Sequence, residues 1–143
     1  MICELNLWAV QDALLAALRA QPAFEVGGAG EVALELGFPA EIQPEHVWID
    51  GGAEGRLESE LTGPGPSRET FQVKLFVFAS ADDYVTTRGR VQALATACEA
   101  ALASPGFAAL VAAWSIPRYR LEAGTDGTNR QLCLELTVEC SCW

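Results

Sequence analysis

The sequence is poor in bases. Nineteen acids stand against nine bases and a single histidine, His46, for a formal net charge of −10 at pH 7. Phosphate backbones and anionic membrane surfaces repel so acidic a chain, which excludes a tight nucleic-acid binder. A negative lining still lets a duplex slide past without being gripped. The shortage is uneven: residues 1–63 carry eleven acids and two bases, residues 64–143 eight and seven. Long apolar runs are missing too. None approaches the about 20 residues that span a bilayer, so no membrane role is expected. Met1-Ile2-Cys3-Glu4 lacks a basic segment leading into an apolar one, so no secretory signal is expected. There is no internal repeat, linker or low-complexity segment.

The five cysteines (Cys3, Cys98, Cys133, Cys140 and Cys142) are odd in number and show no disulfide spacing, so reduced thiols in a cytoplasmic setting are expected. What is present is a 143-residue chain, 50% hydrophobic and 20% charged. That predicts one globular domain over residues 1–143. A chain of this size buries roughly 68–70% of its unfolded surface and needs no staples.

Leu7, Val10, Leu14 and Leu18 recur at spacings of three and four, predicting a helix from about Leu5 to Ala20 that Gln21-Pro22 ends. Gly27-Gly28-Ala29-Gly30 reads as a turn. Glu31–Leu36 alternates as a half-buried strand. His46–Asp50 reads as a short strand stopping at Gly51-Gly52, with a weak acidic strand around Arg56–Leu61 and a loop at Gly63–Ser67. Glu69–Ala79 is a long strand with Phe71, Val73, Leu75 and Val77 on one face. Ser80 and Asp83 have capping-box spacing ahead of a second helix that runs to about Ala103. Its inner face is Val91, Leu94, Ala95, Cys98 and Leu102. Phe107–Trp114 suggests a short helix. Ile116–Glu122 suggests a strand with Pro117 at its start or on an edge. Gly124–Asn129 is a turn, and Arg130–Trp143 a long closing strand. The order predicts an α+β fold, with two main helices packed on one side of a mostly antiparallel mixed sheet.

Catalytic and metal constellations are weak. Cys140-x-Cys142 puts two thiols on one strand face, but zinc takes about four ligands and His46 is the only histidine. Cys133 or Cys98 with His46 would form a nucleophile–base pair only if the fold brought them together; a small buried thiol is the commoner role. Asp82/Asp83 read as helix-start residues and Glu58/Glu60 as a solvated strand face rather than as acid–base pairs. Gly27–Gly30 has no following lysine for a phosphate loop. No catalytic residue, metal site or cofactor is therefore expected. Four tryptophans (Trp8, Trp48, Trp114 and Trp143) are many for this length, and tryptophan is favoured at interfaces, so self-association is expected.

The run from Glu45-His46-Val47-Trp48-Ile49-Asp50 through Arg68–Val77 to Asp82-Asp83 resembles the small tail terminator, or tail completion, proteins of long-tailed bacteriophages. Arg88-x-Arg90 and the alanine-rich helix Leu94–Leu102, which ends in Ala-Leu-Ala-Ser-Pro-Gly-Phe, extend the likeness. It covers roughly residues 5–140. The Gly27–Gly30 turn and the Cys-rich end have no counterpart in it. The resemblance implies a non-enzymatic virion protein of the tail or neck, assembled in the host cytoplasm. It implies a ring, usually a hexamer, that caps the tail tube, stops its polymerisation and presents a surface to the head–tail connector or stopper protein. DNA would pass through the lumen without specific binding. The polar hairpin from Glu54 to Glu69 is expected to reach toward the tube or a neighbouring subunit. The expected interface residues are Trp48, Arg56, Glu58, Glu60, Arg68 and Trp143. Two alternatives stand beside this. One is another neck or head–tail joining protein. The other is a small acidic enzyme or ligand-binding domain with a site near His46 and Glu58/Glu60.

Overall fold

Leu7, Val10, Leu14 and Leu18 do return to one side of a helix, α1 (Leu7–Arg19), and the last three are almost wholly buried. The computed structural model describes residues 6–24, 32–59 and 67–142. Within them the elements run α1, β1 (Ala33–Leu36), β2 (Glu45–Ser59), β3 (Ser67–Ala81), α2 (Tyr84–Leu102), α3 (Pro105–Ala108), β4 (Ala113–Asp126) and β5 (Asn129–Cys142). A short 3₁₀ turn, Pro22–Phe24, follows α1. The strands form one sheet in the order β1-β2-β3-β5-β4. β1 lies parallel to β2 and every other pairing is antiparallel. The predicted α+β architecture is the observed one.

Alternation decides the core. Phe71, Val73, Leu75, Val77 and Ala79 of β3 all face the helices and are at most 2% exposed. They join Val47 and Ile49 of β2, Leu132, Leu136, Val138, Cys140 and Cys142 of β5, and Val91, Leu94, Cys98 and Leu102 of α2 in one cluster. Each such leucine or valine contributes about 1.5–3 kcal/mol on burial. Among the described residues the helices cover only this face. The opposite face is open and carries Gln72, Lys74, Phe76 and Phe78 of β3.

Several boundaries differ from the sequence reading; the turn expected over Gly124–Asn129 is only Gly127-Thr128, because Gly124, Thr125 and Asp126 already pair with Gln131, Arg130 and Asn129. Gly51-Gly52 does not stop a strand. β2 continues through it to Ser59, and the ladder absorbs the glycines as a bulge between Ile49 and Ala53. Three residues of β2 there face one of β3, so the inward–outward alternation is preserved. Ser80 is not the cap of α2. The β3–β5 ladder holds Ser80 and Ala81 opposite Gln131 and Arg130, and Asp83 caps the helix instead, accepting from the Thr86 amide at 2.8 Å. That contact holds the Asp83 carboxyl below the usual carboxylate range. The helix expected over Phe107–Trp114 is only Pro105–Ala108, because Ala113 and Trp114 already pair with Ser141 and Cys140. The Gly27–Gly30 turn and the Gly63–Pro66 loop lie outside the described residues.

Pro117 sits inside edge strand β4, at a one-residue bulge between Ser115 and Arg118. The extra residue reverses the alternation. Trp114 and Ile116 pack on the core before it; after it, Tyr119 and Leu121 face the helix side and Arg118 and Arg120 the open side. A two-residue turn, Gly127-Thr128, closes the β4–β5 hairpin. Gly127 takes φ +60°, the left-handed region a primed hairpin turn requires.

Candidate functional site

The open sheet face gathers three of the residues expected at an interface, Trp48, Arg56 and Arg68. Outward alternation puts Trp48 and Arg56 of β2 on that face, with Arg68 and Thr70 of β3 beside them. Glu58 stands opposite Arg68 and Arg56 opposite Thr70. The Arg68 guanidinium donates to Ser141 Oγ at 3.2 Å, and Thr70 Oγ1 lies 3.4 Å from the same hydroxyl. Arg56 is exposed. Glu60 and Trp143 lie outside the described residues, as does the hairpin tip.

Trp48 is only 3% exposed, so it is not itself the contact surface the sequence suggested. Its ring stacks on Phe76, with centroids 5.1 Å apart and planes 8° from parallel. Phe38 meets Trp48 edge-on at 5.9 Å and remains 77% exposed. The exposed aromatic of this group is therefore Phe38. The loop after β1 carries it there, leaving the strand at Gly37, whose φ of +92° favours glycine.

His46 lies beneath this cluster, fully buried and edge-on to Trp48 at 5.6 Å. Its Nδ1 accepts the Gln43 amide at 2.9 Å, so the neutral ring carries its proton on Nε2, 3.6 Å from Glu35 Oε1. A second proton would have to displace Gln43. Burial lowers the His46 pKa from its ordinary value, and Glu35 only partly opposes this.

The fold separates the proposed nucleophile–base pairs. His46, Phe78 and Cys133 occupy one cross-strand row, with Phe78 between the other two. Two strand spacings place Cys133 about 10 Å from His46, well beyond hydrogen-bond reach. Cys98 lies under the helices, on the other side of the sheet. Burial pushes the thiols of Cys98 and Cys140 up to about 12, and those of Cys133 and Cys142 upward as well. All four are therefore protonated near neutrality and poor nucleophiles. Among the described residues, no three His, Cys, Asp or Glu side chains are grouped as metal ligands. Asp82 and Asp83 are at the start of α2, as a helix-start reading requires.

The rest of the open face is polar and cross-braced. Lys74 Nζ lies 3.1 Å from Glu135 Oε1, Gln72 donates to Glu139 at 3.5 Å, and Arg118 donates to Gln72 at 3.4 Å. Arg120 and Glu122 pair along β4. On the helix side of β4, Tyr119 and Leu121 are 75% and 48% exposed, because α2 does not extend over this strand. A groove of about 660 Å³ runs between α2 and Leu121, Leu132 and Leu134. The sequence reading missed this stripe. Its signal was the alternation Arg118-Tyr119-Arg120-Leu121 directly after Pro117.

No protein-family model and no curated protein matches the chain. A solved structure does: one chain of the virion of a native gene transfer agent (GTA) particle shares the fold with a TM-score of 0.53. The likeness is one of fold. It covers 92% of this chain and 93% of that one at 17% identity. Among the described residues, no helix is long and apolar enough to cross a membrane.

Proposed function

We propose that this chain is a structural, non-enzymatic component of a phage-like virion, and within it a tail terminator. It forms a ring, a hexamer in the family it resembles. The ring caps the tail tube, stops its polymerisation and offers the head–tail connector its docking surface. The observation that carries the virion reading is the match in fold, over 92% of this chain, to a chain of a virion; the tail-terminator reading adds the sequence resemblance to it. Three features of the molecule agree with it. The described thiols and the histidine are not arranged as a nucleophile and base. Both sheet edges are open among the described residues, which suits assembly. The acidity suits a lumen that a duplex traverses without being held.

In this reading the β2–β3 arm reaches the tube or a neighbouring subunit through Arg56, Glu58 and Arg68. The test is tube growth. Purified tube protein polymerises with and without the chain, and lengths are read by negative-stain microscopy. A terminator arrests the tubes with a cap at one end, and Arg56→Ala with Arg68→Ala weakens the cap. Tubes that grow unchanged, with the chain co-purifying with connector protein alone, assign it to head–tail joining instead.

A further inference from the structure

The two edges of the sheet differ in charge as well as in length. β1, four residues long, pairs only with β2 among the described residues; β4, fourteen long, pairs only with β5. Each therefore leaves one side of its backbone without a strand partner there. Beside β1 the exposed acids are Glu35 and Glu41, and the exposed apolar side chains are Leu36, Phe38 and Ile42. Beside β4 the exposed cations are Arg118 and Arg120, and the exposed apolar side chains are Tyr119 and Leu121. Glu122 and Asp126 balance these arginines over the whole strand, so the positive charge of this edge is local to Arg118 and Arg120, and the acids lie toward the hairpin end.

We infer that these edges are the two halves of one head-to-tail contact, in which β4 of one copy docks beside β1 of the next. This deepens the ring reading and rests on it. Strand direction favours the pairing. β1 runs with β2 and β5, whereas β4 runs against them. A second copy in the same orientation therefore meets β4 antiparallel to its own β1, the stronger and commoner ladder. Charge favours it over the two-fold alternatives. A β4–β4 joint centred on Tyr119 sets Arg118 against the other copy's Arg120, and a β1–β1 joint brings two acidic edges together, whereas the mixed joint brings arginines to acids. A heterologous contact of this kind repeats, and it closes into a ring when the rotation permits. The apolar pairs supply the dry centre and the opposite charges fix the partner edge.

The test uses two variants of the full chain. Arg118→Glu with Arg120→Glu breaks the β4 edge; Phe38→Arg with Glu41→Arg breaks the β1 edge. All four side chains are exposed, and a cooperative melt with wild-type secondary structure by circular dichroism confirms each fold. Tyr119→Arg alone breaks the same β4 edge if the double reversal unfolds the chain. Light scattering is expected to show assembled wild type and loss of assembly in each variant. Cross-linking of a 1:1 mixture is expected to trap dimers with one copy of each variant and nothing larger, because one intact joint remains per pair. A variant that assembles like wild type, or a mixture that traps no mixed dimer, overturns the edge assignment and leaves the ring standing. Wild type that stays monomeric overturns the ring, and the joint with it.

Discussion

Trp48 and Phe76 stack face to face across β2 and β3, with ring centroids 5.1 Å apart, on the side of the sheet that no helix covers. The stack divides the local aromatics into a buried ring, Trp48, a half-buried one, Phe76, and one outer ring, Phe38. Trp48→Ala removes a ring that is 3% exposed and is expected to cost about 3–5 kcal/mol. Phe38→Ala removes one edge-to-face contact and is expected to cost about 0.5–1.5 kcal/mol. Its larger effect falls on self-association. Urea melts and light scattering of both variants check this; equal stability losses would show that Phe38 is part of the core.

His46 predicts a pH dependence. Its folded pKa lies below the ordinary value of 6.5, so between the two the unfolded chain binds the extra proton. Stability from this residue is complete above about 6.5 and is lost as pH falls from there toward the folded pKa. His46→Gln is expected to flatten the slope in that window while lowering stability at neutral pH. Melts at a series of pH values in wild type and variant read this directly. An identical slope in the variant would assign the effect to other groups.

Gly55 faces Phe71 across the β2–β3 arm, and the close approach leaves no room for a side chain. A Cβ at Gly55 would lie 2.6 Å from Phe71 Cβ and 2.9 Å from the Thr70 carbonyl oxygen. Gly55→Ala is expected to cost about 1–3 kcal/mol through strand displacement. At Gly52, within the bulge, a Cβ meets nothing within 4 Å, so Gly52→Ala is expected to stay within about 0.5 kcal/mol of wild type. Chemical denaturation of the two variants compares a crowded glycine with an open one; equal costs would contradict the close approach.

The thiols give a third kind of check. Cys98 is fully buried and Cys140 nearly so, and burial pushes both thiols up to about 12. Neither is expected to react with a thiol reagent at pH 8 until the chain unfolds. Cys133, half-buried on the open face, is expected to label first among the four described cysteines. Mass spectrometry of a labelling time course identifies the order. Early labelling at Cys98 would mean that α2 opens from the sheet.

Much of the architecture was legible because it depends on local periodicity. The leucine stripe of α1 and the alternation of Phe71, Val73, Leu75 and Val77 each identify an element and its buried side. The parts that failed are those where pairing overrides local preference. Gly51-Gly52 looks like a stop, but the ladder to β3 continues on both sides of it. Ser80 has the spacing of a cap, but its place in the β3–β5 ladder keeps it extended. Of the residues expected at an interface, Arg56 and Arg68 lie on one face, whereas Trp48 is covered because the loop after β1 brings Phe38 onto it. The Tyr119–Leu121 stripe depends on the Pro117 bulge, and a bulge is not visible in composition. No counting of residues could show that α2 stops short of β4.

The central claim is a closed ring of identical chains. The most direct measurement is the mass of the purified protein by light scattering, with negative-stain images of the same fraction. The account predicts a hexameric mass and rings with a central hole wide enough for a DNA duplex. A monomeric mass with no rings at any accessible concentration would contradict it.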